Sequence, residues 1–214
     1  MRYNGHTIDR EADPFSMSEN SNTLNNRLDQ QLAFLTEADK LKSTLRATQL
    51  CDGSRQENSA EHSWHIALYA LMLAEHSNRN ISIDRVIKML LIHDLVEIDA
   101  GDVPIHASYD EAKQHAIETA AAKRIFGLLP ADQNLEFLAL WHEFEAAETD
   151  DAIFAKSIDR VQPVIANLET DGGSWPEYKV TAKQLEDRVG MKVSRGAPAV
   201  WEFLQTRIRK WFDS

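Results

Sequence analysis

The run Leu90-Leu91-Ile92-His93-Asp94-Leu95-Val96-Glu97-Ile98-Asp99-Ala100-Gly101-Asp102 constrains this chain more than any other, because ionisable side chains interrupt an otherwise apolar segment. Burying charge is costly unless it is paired or binds a cation, so the fold has to bring partners to it. Val86, Leu90, His93 and Glu97 follow one another at helical spacing and share one face, which passes from apolar to ionisable. His93 and Asp94 point about 100° apart on a helix. They form either a buried hydrogen-bonded pair or two arms converging on something large, such as a metal ion. Glu97 reaches the same region and could bind a second ion, hold a water or move a proton.

The chain has 214 residues and no long polar linker in its middle, which fits one domain with a single core. Its formal charge of −11 argues against a nucleic acid polymer as partner, since such binding needs a basic surface. A small anionic substrate remains compatible if a few cations converge locally. Cys51 stands alone, so no internal disulfide forms, and neither a secretory signal nor an apolar span of about 20 residues is evident. The expectation is a cytoplasmic protein with no membrane partner.

Residues 1–22 are polar, contain Pro14 and read as an irregular or mobile arm. Residues 23–214 read as the helical domain, with a metal-site core at about 45–168. A helix is expected from Thr23, carrying Leu24, Leu28, Leu32, Leu35 and Leu41 on the outside of a larger bundle. The stretch from Leu45 to Glu57 mixes turn residues with Arg46 and Arg55, the candidates for an anion clamp. Asn58 and Glu61 have capping-box spacing, and the helix they open, through Ala74, is apolar nearly all round and is expected to be buried. Either His62 or His65 on it could face a metal.

The helix carrying His93 is expected to start near Ser82 or Asp84 and to stop at Ala100-Gly101, leaving Asp102 free to bend back. Ser108 with Glu111, Pro130 and Thr149 mark three further helix starts. In the last of these helices Asp159 lies among apolar residues and needs a cation or several donors. Pro163 removes the N–H that would bond the Asp159 carbonyl. Asp171 to Pro176 reads as a loop, either on the surface or over a pocket, and Pro198 starts a final amphipathic helix. No convincing strand-period run occurs, so the fold class is all-α. That helical bundle would hold a divalent metal in its core.

One of the two histidines, with His93, Asp94 and Asp159, offers two imidazoles and two carboxylates, a donor set suited to a single divalent transition ion among Mn, Co, Fe, Ni and Zn. The blocks Arg55 to Ser63, His93-Asp94-Leu95-Val96-Glu97 with Gly101-Asp102, Trp141 to Glu145, and Ala155 to Arg160 together resemble the HD-domain metal-dependent phosphohydrolases, and most closely their 5′-deoxynucleotidase branch.

The resemblance covers roughly Leu45 to Leu168. It implies an HD-type bundle with His62, rather than His65, beside His93, Asp94 and Asp159 as metal ligands. It further implies attack of metal-activated water on a nucleoside 5′-monophosphate, with Glu97 as general acid or base and Arg46 on the substrate phosphate. Asp102 assists through the metal water, the sugar or a second ion near Glu97. The branch carries a tryptophan after the arginine, whereas Ala47-Thr48-Gln49 follow Arg46 here, so a deoxyribose preference does not follow. The resemblance and the apolar helices both point to a homodimer. Alarmone-type pyrophosphate hydrolysis is the alternative enzyme reading, and a non-catalytic metal-binding scaffold is the alternative of another class. His106, His115 and His142 read as surface residues.

Overall fold

The computed structural model describes the backbone of residues 14–214 and the side chains from residue 23 onward. Helix α1 spans Pro14–Ala38, so it starts at Pro14 and not at Thr23, and residues 14–22 are helical where an irregular arm is expected. Residues 1–13 of that arm lie outside the described residues. The early start has a physical reason: α1 faces solvent, leaving Leu24, Leu28, Leu32 and Leu35 exposed, so its length is not read from apolar spacing, and proline suits a first helical turn. Arg27 grips Asp132 with two bonds of 2.8 Å, and Gln31 donates to Gln133 at 2.8 Å.

A short helical turn, Asp39–Ser43, leads into a hairpin of β1 (Leu45–Gln49) and β2 (Gln56–Asn58), antiparallel with Leu45 opposite Asn58 and Gln49 opposite Gln56. These strands are too short to leave an alternating pattern, and they correct a strictly strand-free reading without altering the all-α class. Helix α2 (Ser59–Leu73) opens with the expected capping box. The Glu61 N–H donates to Asn58 Oδ1 at 3.0 Å, and the Asn58 N–H donates to the Glu61 carboxylate at 3.2 Å. Ile66, Ala67 and Ala70 are buried, but Trp64, Leu68, Leu71 and Met72 are exposed. The helix is therefore buried on one side only.

Helix α3 (Ile83–Ile92) buries Val86, Met89, Leu90 and Ile92. It does not run on to Ala100: His93–Val96 tighten into a 3₁₀ turn, α4 (Glu97–Ala100) follows, and Gly101 turns away with φ +73°. Helix α5 (Glu111–Phe126) is capped by Asp110, which accepts from the Lys113 N–H at 3.0 Å, and not by Ser108. Asp110 stands directly before the first helical residue, where a carboxylate satisfies free N–H groups. Helix α6 (Ala131–Ala146) follows Pro130, and α7 (Asp150–Glu169) starts at the Thr149 cap and continues through Pro163.

Helix α7 is the central element and packs against α2, α3, α6 and, later in the chain, α9. Turns over residues 170–179 lead to α8 (Ala182–Leu185), a wide helical turn (Glu186–Gly190), α9 (Met191–Gly196) and α10 (Pro198–Phe212). The segment before α10 was not read as helical from sequence. Among the described residues, the buried apolar side chains other than Ile153 and Ala166 form one cluster. Among the described residues no helix is long and apolar enough to cross a membrane.

The α7–α9 crossing depends on Gly196. A Cβ there would lie 2.6 Å from Ser157 Oγ, 2.9 Å from the Ile153 carbonyl and 2.9 Å from Phe154 Cα. Gly196→Ala should therefore overpack this crossing and cost about 1–3 kcal/mol. A thermal melt should show Tm lowered by roughly 3–9 °C; an unchanged Tm would mean that α9 yields without cost.

Candidate metal centre

His62 comes from the first turn of α2, His93 and Asp94 from the 3₁₀ turn after α3, and Asp159 from the middle of α7. The tight turn lets adjacent residues serve one site: His93 Nε2 lies 2.8 Å from Asp94 Oδ1 and 3.7 Å from Asp159 Oδ1. His62 Nε2 lies 3.0 Å from that same Asp159 oxygen. His62, His93 and Asp94 can each direct a ligand atom into one small volume, all within 4.8 Å of one another. His62 is 0% exposed, His93 5%, and Asp94 and Asp159 7% each.

The remaining bonds of the two imidazoles fix how they present themselves. His93 Nδ1 donates to the Leu90 carbonyl at 2.9 Å. His62 Nδ1 faces Gln162 Oε1 at 3.0 Å, while Gln162 Nε2 donates to Glu57 Oε1 at 2.9 Å. An amide nitrogen has to face that carboxylate, so the amide oxygen faces His62, and Nδ1 carries the proton. Both Nε2 atoms are thereby aimed at the carboxylates. His93 Nε2 is buried without a hydrogen-bond partner. Two Nε2 atoms held by outer-layer acceptors, among buried carboxylate oxygens, form a donor set that fits a divalent metal.

Arg46, from β1, enters the same space. Its Nη1 donates to Asp94 Oδ2 at 3.0 Å and lies 3.6 Å from Asp102 Oδ1 and 3.9 Å from Glu97 Oε1, and its Nε lies 3.6 Å from Glu57 Oε2. Burial opposes its charge, but Asp94, Asp102, Glu97 and Asp159 more than compensate and raise its pKa. Burial likewise opposes protonation of His93, yet Asp94 and Asp159 raise it to about 10. Asp94 is held at about 2: burial works against ionisation and is outweighed by His93 and Arg46.

Glu97 behaves in the opposite way. Burial, with Asp94 and Asp102 nearby, pushes it well above the carboxylate range despite Arg46, and Ser59 Oγ donates to its Oε2 at 2.5 Å. Asp102 is also raised, by burial first. The pocket thus holds carboxylates shifted in opposite directions, Asp94 downward and Glu97 and Asp102 upward.

The site residues expected from sequence gather here with one exception. Arg55 sits on the surface, bound to the Glu61 carboxylate at 2.8 and 2.6 Å, and lines neither cavity described below. Its charge is taken up within its own segment. Conversely, Glu57, Ser59 and Gln162 form an outer layer that the sequence reading did not single out. Gln162 lies three residues after Asp159 on α7, a spacing that shares a helix face.

Arg46, Ala47, Thr48, His93, Asp94 and Asp159 line a cavity of about 220 Å³ whose far wall includes Trp175 and Tyr178. His106 lines it too, so it is not a plain surface residue. It is depressed to about 4 by burial and by Arg188 and Arg160.

The sequence profile described as the HD domain matches residues 38–201. Human 5′-deoxynucleotidase HDDC2 is 28% identical over 115 residues, which cover 54% of this chain and 55% of that protein. The Danio rerio protein of the same name is 27% identical over 162 residues, covering 73% of this chain and 80% of its own. The chain thus spans about half the length of the human relative. A crystal structure from Magnetospirillum magnetotacticum MS-1, named a "predicted metal-dependent phosphohydrolase", is 46% identical and superposes with a TM-score of 0.81. The match covers 87% of this chain and 95% of that one.

Gln162→Leu removes the acceptor that orients His62 and leaves Glu57 with one bond fewer. Metal affinity, measured by competition against a chelator, should fall about 10–100-fold with an unchanged far-UV circular dichroism spectrum. Undiminished affinity would mean that His62 needs no such support.

Proposed function

The chain belongs to the HD domain family, and on that premise we propose that it is a metal-dependent phosphohydrolase that removes phosphate from nucleoside 5′-monophosphates. One observation carries the reading: a buried guanidinium, Arg46, and the donors His93, Asp94 and Asp159 share one cavity wall, with His62 directly behind Asp159. A phosphate monoester needs that combination of a cation site and a fixed positive donor. The name 5′-deoxynucleotidase borne by the relatives supplies the substrate class.

His62, His93, Asp94 and Asp159 would hold one divalent transition ion, with Glu97 and Asp102 beside it as the place for a second. When bound, the ion supplies positive charge for the phosphoryl oxygens and acidifies a water. Arg46 exchanges its contacts with Asp94 and Asp102 for the substrate phosphate and offsets charge that develops there. Glu97, raised above the carboxylate range chiefly by burial and fixed by Ser59, moves a proton to or from the reacting oxygens. Asp102, at the end of the Gly101 turn, faces Arg46 and meets the sugar side of the substrate. Ala47 and Thr48 line the cavity, and no tryptophan follows Arg46 as it does in the branch that this chain resembles, so a deoxyribose preference does not follow.

The exposed apolar face of α2, with Trp64, Leu68, Leu71 and Met72, supports a homodimer, which light scattering on the purified protein tests. A cytoplasmic location follows from the nucleotide substrate and from the lone cysteine.

The reading is tested by phosphate release from ribo- and deoxyribonucleoside 5′-monophosphates, using stripped protein resupplied separately with Mn, Co, Zn or Mg. Metal-dependent release with similar kcat/KM for both sugars is expected, and silence with metal bound would overturn the assignment. Glu97→Gln should keep the metal and lower kcat by about 10²–10⁴. Lost metal with unchanged turnover per bound ion would assign Glu97 a structural role instead.

A further inference from the structure

A second cavity, of about 410 Å³, adjoins the first and shares Tyr109, Gln114, Glu118, Glu145, Lys156 and Arg160 with it. Its other side brings Lys192 and Arg195 from α9. The charges meeting here are unusual for this acidic chain. Elsewhere Arg27, Arg55, Arg79, Arg85, Arg124 and Arg207 each sit against a carboxylate.

Around the second cavity the cations are left over. Among the described residues Arg160 Nε is buried with no hydrogen-bond partner, and it lies 3.6 Å from Asp159 Oδ2 as an ion pair. Arg195 spends its Nη2 on the neutral Ala147 carbonyl at 3.0 Å, and Arg188, nearby, spends its Nη1 on the Ile105 carbonyl at 2.8 Å. Lys156 is matched by Glu145 at 2.8 Å.

The acids in the cavity offset this only in part. Glu145 is taken by Lys156, and Glu118 accepts from Gln114 at 2.9 Å and is pushed toward its neutral form chiefly by burial. Glu111 remains at the start of α5. Lys192 is lowered by burial first and then by Arg160 and Lys156, with Asp159 and Glu111 acting against them, and His106 is lowered by burial first and then by Arg188 and Arg160. Among the described residues Arg160, Lys192 and Arg195 outnumber Glu111 and Glu118, the cavity acids not paired with Lys156, and a bound anion relieves the repulsion between grouped cations.

We propose that this cavity is a second anion subsite, and that the preferred substrate carries, beyond the phosphate cleaved at the metal centre, another phosphate that docks between Arg160, Lys192 and Arg195. The proposal rests on the phosphohydrolase reading and narrows it from nucleoside monophosphates to bisphosphorylated compounds. Hydrolysis is unchanged in kind: water adds to the scissile phosphorus, the ester bond breaks, and the second phosphate stays on the product.

The test compares adenosine 3′,5′-bisphosphate with adenosine 5′-monophosphate on the manganese-loaded full-length protein. The wild type should show at least a tenfold higher kcat/KM for the bisphosphate. Lys192→Glu should reduce that ratio at least tenfold, and adding Arg195→Glu should abolish it. Equal use of both compounds, or a preference that survives the double variant, overturns the proposal. So does an equal loss on both substrates in Arg160→Ala, which would assign Arg160 to the scissile phosphate. If neither compound is hydrolysed, the phosphomonoesterase reading falls. The subsite is then judged by calorimetry, which should show tighter binding of the bisphosphate to the wild type and loss of that difference in Lys192→Glu.

Discussion

The cost of burying carboxylates organises this molecule. Glu57, Asp94 and Asp159 are 1%, 7% and 7% exposed, and an unpaired buried carboxylate costs several kcal/mol. No single element can meet that cost. Arg46 comes from one strand of the hairpin and Glu57 from the other, His62 from α2, His93 from the turn after α3, and Gln162 from α7. The hairpin therefore matters beyond its size, because its pairing sets Arg46 against Glu57 and both against α7. The metal donors are what remains after Arg46 and Gln162 have satisfied what they can reach, which leaves His93 Nε2 and its carboxylate neighbours for a cation.

The same reasoning explains which features were legible in the sequence. Caps are local chemistry, so Asn58 with Glu61, Thr149 and Pro198 marked their helices correctly. His93, Asp94 and Asp159 stand out in the sequence as ionisable groups within apolar helical runs, whereas His62 is preferred over His65 only through the family resemblance. The 3₁₀ turn at His93 was not legible, since the spacing from Val86 to Glu97 fits one continuous helix equally well. Only the need to point His93 and Asp94 into one volume requires tightening there, and that need is tertiary. Arg55 failed for the converse reason: its partner, Glu61, becomes a neighbour only once β2 leads directly into α2. The exposed side of α2 was misread because an all-round apolar composition says nothing about how many sides find a neighbour.

Glu57 and Gln162 illustrate a different limit. Neither residue type signals chemistry by itself, and their role lies in the tautomer they impose on His62. The sequence held one clue, the three-residue step from Asp159 to Gln162, and it gains meaning only when α7 is known to face α2.

The substrate end of the pocket depends on the far end of the chain. Trp175 is 1% exposed and packs against Trp211 at 5.2 Å and Phe212 at 5.7 Å between ring centroids. Two glycines allow this. A Cβ on Gly172 would strike the Trp211 ring at 2.2 Å, and one on Gly173 would strike Asn167 Oδ1 at 2.3 Å. That Asn167 oxygen accepts from the Ser174 N–H at 2.9 Å and the Ser174 hydroxyl at 3.2 Å, pinning the turn to α7. The segment is thus a fixed wall held from below by α7 and from behind by α10, and not a loose cover. A change at Gly172 or Trp211 reaches the cavity through Trp175 without touching a metal donor, so it would alter substrate fit and leave metal binding intact. The candidate donors and the far wall of the cavity are therefore built on different parts of the fold. The donors belong to α2, α7 and the turn after α3, and the far wall belongs to the turns and helices that follow α7.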